Sequence, residues 1–226
     1  MEVVPISETL EIAKEKQIML VINCTATHMM CTPENLEELA LGFLVSEGLV
    51  SPSESIDVRV DGDTIFVKAD IDPVFKLRSS GCVGVLREKE ELPKVFAEEK
   101  FSIDEARNSL VYLETEEYKR TRAYHTAALV GKEGMIVRAY DVGRHNAIDK
   151  AIGMGIKRGV NFRKVFLLIS GRISQGIVAK CVRAGIPLVV SKAAILDSAI
   201  ETCKLTGLSA VSFATGIVVK GDAITL

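Results

Sequence analysis

Residues 165–191 read VFLLISGRISQGIVAKCVRAGIPLVVS, and the fold class turns on this stretch. Val165–Ser170 is a continuous apolar run of strand length, Ile173–Ala184 has helical spacing, and Pro187–Ser191 is a second apolar strand. Strand, helix and strand in succession, with continuous apolar strands, imply parallel strands covered on both faces. The pattern extends outward in both directions. Downstream, Ile195–Thr206 reads as a helix and Ala210–Phe213 as a strand. Upstream, Asn146–Lys157 places Ile148, Ala151, Ile152, Gly155 and Ile156 on one helical face. Earlier still, Ala127–Val130 and Met135–Tyr140 surround a Gly-Lys-Glu-Gly turn, a hairpin signal, and a helix is expected near Ile103–Glu114.

The first third is organised differently. Gln17–Asn23 (QIMLVIN) is β-rich, and Thr32-Pro33-Glu34 supplies an N-cap, a first-turn proline and a first-turn acid. Leu36, Leu39, Ala40, Phe43 and Leu44 then lie on one helix face, and Gly48 ends a helix expected over 33–47. Ile56–Val60 and Thr64–Lys68 flank Asp61-Gly62-Asp63, which reads as a β-hairpin. Ile71–Glu91 has little periodicity. The expected fold is therefore α/β, with an α+β N-terminal part over 1–100 and a C-terminal α/β part over 101–226.

Composition narrows the function. In 226 residues, 28 Lys and Arg stand against 30 Asp and Glu, a net charge of -2, so there is no bulk electrostatic case for nucleic acid or an anionic membrane. Any anionic ligand must be held by a few local cations. Five cysteines without a pairing pattern fit a reduced, cytoplasmic protein. The opening MEVVPISETLEIAKEKQ has early acids and no long apolar core, unlike a signal peptide, and no apolar run is long enough to span a membrane.

Polar chemistry collects after the strands, where open α/β sheets bind ligands. The segments there are Asp141-Val142-Gly143-Arg144-His145-Asn146, Ser170-Gly171-Arg172, Ser191-Lys192 and Ala214-Thr215-Gly216. Small residues let backbone N–H groups approach a bound group, and arginine, lysine and helix N-termini favour phosphate. Each loop taken singly also reads as an ordinary strand-end turn; four at one edge favour a phosphate or nucleotide group. Cys82 sits in Ser-Ser-Gly-Cys-Val-Gly between Arg78 and Arg87, a setting that favours a reactive thiolate as much as an inert thiol. Cys181 and Cys203 fall on apolar helix faces and read as core filler. Cys24, His28 and Cys31 could supply three zinc ligands, although C-x3-H-x2-C matches no common pairwise motif. For His125 and His145, a ligand-contacting role stands beside an exposed or capping one. Zinc deaminases need H-x-E and C-x-x-C; here Ala127 stands two after His125, and no C-x-x-C occurs.

Together these motifs resemble the FdhD family, the formate dehydrogenase accessory sulfurtransferases. The resemblance is carried by CTPENLEELALGFLVSEGLV (31–50), YHTAAL (124–129), DVGRHNAIDKAIG (141–153), SGR (170–172) and AGIPLVVSKAA (184–194), and runs nearly end to end. It implies a C-terminal three-layer part like that of cytidine deaminases but without the deaminase metal. It also implies that a loop cysteine, here Cys82, accepts persulfide sulfur from a cysteine desulfurase. The sulfur then passes to the molybdenum (or tungsten) bis-guanine-dinucleotide cofactor before insertion into formate dehydrogenase, and GDP or GMP would mimic that cofactor. By the same resemblance Phe213, Ala214, Thr215, Gly216, Ile217 and Val218 form a cofactor-contact segment; on the strand-end reading Arg144, His145, Arg172 and Lys192 position the dinucleotide phosphates, and His125 is a further cofactor contact. Many members carry C-x-x-C in the sulfur loop, whereas Val85 stands three after Cys82, which argues against a two-thiol relay there. A cofactor-binding chaperone without sulfur transfer is the alternative, and a homodimer is the default assembly.

Overall fold

The structure, a computed structural model, describes residues 4, 9–54, 56–71, 76–79, 83–86 and 91–226, with backbone alone for 76–79 and 83–86. In chain order, β1 (Lys16–Ile22) and β2 (Thr25–Cys31) precede α1 (Leu36–Ser46), β3 (Asp57–Asp61) and β4 (Thr64–Lys68). A short hairpin of β5 (Lys76–Ser79) and β6 (Val83–Leu86) comes next, then β7 (Phe101–Ser102), α2 (Ile103–Asn108) and α3 (Glu116–Thr121). The rest comprises β8 (His125–Gly131), β9 (Gly134–Asp141), α4 (Arg144–Lys157), β10 (Phe166–Ile169), α5 (Gln175–Ala184) and β11 (Leu188–Ser191). It closes with α6 (Asp197–Thr206), β12 (Ser209–Ser212), β13 (Ile217–Val219) and β14 (Ile224–Thr225).

The central sheet has the order β13-β12-β11-β10-β8-β9. β10, β11 and β12 run parallel, as their continuous apolar runs require, while β8, β9 and β13 are antiparallel to their neighbours. Successive side chains enter opposite layers. Ala127, Leu129, Leu167, Ile169 and Val189 join the core with α4, α5 and α6. Ala128, Val130, Leu168, Leu188 and Val190 join Phe101, Ala106 and Leu113 on the other face. A capping box from Ser102 and Glu105 starts α2 there, and a 3-10 turn over Ser109–Leu113 extends it, matching the helix expected near 103–114.

The four-stranded sheet, order β2-β1-β4-β3, packs its Ile18, Leu20, Ile22, Ile65 and Val67 into the same core as α1 and α4. Its β3–β4 hairpin turns where Asp61-Gly62-Asp63 foretold, with Gly62 at φ 57°. Two points differ from expectation. Leu39 through Ser46 are all buried, so α1 is enclosed all round rather than along one face. It also begins at Leu36, after Asn35 in the left-handed region; Thr32 does not cap it, because its hydroxyl instead accepts from Val142 N–H at 3.2 Å.

Glycine sets the α1–α4 spacing. A Cβ on Gly42 would lie 1.7 Å from the Asp149 carbonyl oxygen, and one on Gly153 1.9 Å from that of Glu38. Beside this crossing, Lys180 of α5 is buried between two carboxylates, 2.8 Å from Glu47 and 2.8 Å from Asp149, and it also donates to Ser46 Oγ at 2.8 Å. One cation shared by two acids leaves burial dominant at Asp149, whose pKa is pushed up to about 6. Among the described residues no helix is long and apolar enough to cross a membrane.

Candidate functional site

The strand registers bring the sequence-predicted segments to one sheet edge. His125 opens β8 opposite Asp141 at the end of β9; Ile169 pairs Ala127 and Ser191; Ser191 pairs Ser212, and Ser212 pairs Ile217. Arg144 and His145 are the first two residues of α4. Arg172 and Lys192 stand exposed just beyond β10 and β11, and Phe213–Gly216 form the turn between β12 and β13. From β12 to β9 is four strand spacings, roughly 19 Å, so the residues are strung along the edge where open sheets form their ligand crevice rather than gathered in one pocket.

The turn at 213–216 is the outlying member. Ala214, Thr215, Gly216 and Ile217 are exposed, whereas Phe213 and Val218 pack on the core beneath the sheet. Arg107 lies over the Phe213 ring at 5.0 Å. The serines of these loops brace backbone. Ser170 Oγ accepts from Thr126 N–H at 2.9 Å, Ser191 Oγ donates to Gly171 O at 2.6 Å, and Ser212 Oγ donates to Ala193 O at 2.7 Å.

At the β8 end the crevice deepens into a cleft of about 270 Å³ whose lining includes Tyr118, Arg122, Tyr124, His125, Thr126 and Lys192. Lys192 Nζ sits 5.4 Å from the Tyr118 ring centre. The hydroxyl of Thr126, a lining residue of this cleft, is buried with no hydrogen-bond partner among the described residues. Sequence reasoning missed Tyr118 and Arg122, because α3 is too short to show a period. Its signal is the Thr115 cap followed by Glu116 and Glu117, and Thr115 Oγ1 does accept from Tyr118 N–H at 3.0 Å.

Positive potential comes from side chains and backbone together. α4, α5 and α6 all start at this edge, and their cap residues (Gly143, Ser174 and Leu196) make no side-chain cap, so the positive ends of the helices lie here. No acid lies in the first turn of α4 or α5, whereas α6 opens with Asp197. Burial first, then the Arg144 guanidinium, lowers the His125 pKa, with Asp141 opposing, which favours the neutral imidazole. A Cβ on Gly171 would lie 3.3 Å from Arg144 Cβ and 3.6 Å from His125 Nδ1, so glycine keeps these groups close. Cations, oriented N–H groups, a neutral imidazole and a tyrosine face can hold an anion joined to a planar group.

The thiols sort by burial. Cys82 lies outside the described residues, as do Ser80, Gly81 and Arg87; β5 and β6, on either side, pair Ser79 with Val83 and lie beside β2. Cys181 and Cys203 are buried in the core, as their helical spacing indicated, and burial pushes both thiols up, Cys203 to about 12. Cys24 is exposed in the β1–β2 turn. His28 is exposed on β2 while Cys31, three residues on, enters the core, so the Cys24-His28-Cys31 spacing does not gather a ligand set. Among the described residues no group of three or more His, Cys, Asp or Glu is placed to hold a metal ion.

Fold and site thus define a mixed α/β protein with a cationic crevice at the carboxyl ends of its parallel strands. The FdhD/NarQ family profile matches residues 13–220, and the chain belongs to that family. It is 34% identical over 222 residues to a sulfur carrier protein FdhD of Wolinella succinogenes, covering 91% of this chain and 78% of the relative. The namesake from Methanothermobacter thermautotrophicus is 34% identical over 200 residues, covering 82% and 77%. A crystal structure described as a formate dehydrogenase accessory protein from Desulfotalea psychrophila shares the fold. Its TM-score is 0.77 at 24% identity, covering 93% of this chain and 88% of that one.

Proposed function

We propose that this protein is a cytoplasmic sulfur carrier serving formate dehydrogenase. The Cys82 thiolate attacks the outer sulfur of a cysteine desulfurase persulfide; the donor S–S bond breaks, the donor leaves as thiolate, and Cys82 carries the new persulfide. That sulfur is handed to the molybdenum or tungsten bis-guanine-dinucleotide cofactor, bound as substrate in the strand-end crevice before it enters the client enzyme. Arg144, His145, Arg172 and Lys192 hold phosphates, His125 contributes hydrogen bonds, and the 213–218 turn contacts the outer end of the dinucleotide. Residues 1–100 carry the sulfur hairpin, and residues 101–226 hold the acceptor in a cytidine-deaminase-like three-layer arrangement.

The observation that carries this reading is the gathering of those cations and the uncapped starts of α4 and α5 along one edge, long enough for a dinucleotide. Family membership and the relatives' name, sulfur carrier protein FdhD, support it. Intact-mass measurement after incubation with a desulfurase and cysteine tests it. The wild type gains roughly 32 Da, one sulfur, and Cys82→Ala does not. If no adduct depends on Cys82 while Cys82→Ala still matures formate dehydrogenase, the protein is a non-covalent cofactor chaperone instead.

A further inference from the structure

Asp141 ends β9 with no exposed surface, and every face of its carboxylate is engaged. Oδ2 lies 2.6 Å from Lys150 Nζ and accepts from Thr32 N–H at 3.0 Å. Oδ1 accepts from Gly143 N–H at 2.8 Å and Asn146 Nδ2 at 3.1 Å. Lys150, equally buried, also donates to Thr32 O at 2.8 Å, and Asn146 Nδ2 donates to Met30 O at 2.9 Å. With Thr32 Oγ1 accepting from Val142 N–H, the ends of β2 and β9 are laced together by backbone and side chain alike.

Burying two charges is costly, and an apolar pair would fill such a space at least as favourably. What an apolar pair could not do is fix three separate N–H groups, those of Thr32, Gly143 and the Asn146 amide, together with the Thr32 carbonyl. We propose that Asp141 and Lys150 are positioning residues: they lock residues 142–146 to the Thr32 segment, so that Arg144 and His145 are presented to the crevice on a backbone with one path. A different path for this loop would leave buried Lys150 without its counter-charge. Gly143 belongs to the device, since a Cβ there would lie 2.9 Å from Asn146 Nδ2. Thr32 directly follows β2, the strand beside the β5–β6 hairpin, so the strand bordering the sulfur loop and the anion-facing loop form one unit. The inference rests on reading the crevice as a nucleotide-phosphate site.

The test uses the full chain, GDP as the probe, and the imidazole NMR signals of His125 and His145. In Asp141→Asn/Lys150→Met both charges are removed, so no buried ion is orphaned; Thr32→Val removes only the Val142 contact and serves if the double variant does not fold. The expected result is cooperative melting, displaced His125 and His145 signals, and GDP affinity about 10-fold weaker in the double variant and about 3-fold weaker in Thr32→Val. Affinity within twofold of wild type with both signals in place overturns the proposal. If wild type binds no GDP, the phosphate reading fails on its own, and the imidazole signals alone decide whether the clamp positions the loop.

Discussion

Substituting alanine for Gly42, and separately for Gly153, probes the crossing on which both layers of the core depend. Each added Cβ meets a backbone carbonyl oxygen of the facing helix, at 1.7 Å and 1.9 Å respectively, against the 3.4–4 Å of ordinary contact. Neither obstacle is a flexible side chain, so α1 and α4 must part by roughly 1.5 Å, which forfeits dispersion contacts along the interface. Overpacking of this kind costs about 3 kcal/mol or more. Alanine's better helix propensity returns about 1 kcal/mol. Each single variant is therefore expected to lose at least about 2 kcal/mol, a fall in melting temperature of roughly 4–8 °C for a chain of this size. Urea unfolding followed by circular dichroism reads the free energy directly. The two clashes are relieved by the same separation, so the double variant is expected to cost much less than the sum of the singles. A single variant within about 0.5 kcal/mol of wild type, or strictly additive costs, would refute the reasoning.

Two further expectations concern charge. Asp149 titrates near 6 in the native protein against an ordinary 3.8, so the native state takes up the proton first as pH falls. Its contribution therefore grows as pH drops from about 6 toward 4 and is lost as pH rises through 6. Comparing urea midpoints, the stability of wild type relative to Asp149→Asn is expected to be about 2 kcal/mol more favourable at pH 4.5 than at pH 7; equal differences at the two pH values would contradict the assignment. At the crevice, burial and secondly Arg144 depress the His125 pKa, so Arg144→Gln is expected to raise it, read as the midpoint of the imidazole NMR titration. An unchanged or lower midpoint would remove Arg144 from the neighbourhood of His125.

What was legible in the sequence follows from burial geometry. β10, β11 and β12 could be read because both their faces are covered, which demands unbroken apolar runs. β2 could not: TATHMMC buries only Met29 and Cys31, so its residues resemble a metal-ligand spacing more than a strand. α3, β7, β13 and β14 are too short to show a period. Leu41 and Val45 fall off the apolar face of α1 because that helix is enclosed by α4 and α5 as well as by the sheet, which only tertiary packing reveals. Thr32 looked like a helix cap because capping is the local use of such a residue; its actual partner, Val142, lies 110 positions away.

The string DVGRHNAIDK shows where a motif stops indicating function. Read as a line of polar residues it suggests one site, yet its charges divide in three directions. Arg144 and His145 start α4 at the strand-end edge beside Gly171 and Gly176, Asp141 and Lys150 turn inward to Thr32, and Asp149 turns to Lys180 and Ser46. The division has an electrostatic consequence. Lys150 and Lys180 are each compensated by buried carboxylates, so neither adds an unbalanced charge to the crevice. The cations of the crevice are instead half-buried or exposed, where a bound anion can reach them. A chain with a net charge of only -2 can therefore keep a locally cationic edge, because its interior charges cancel locally and its site charges are few and placed by the sheet register.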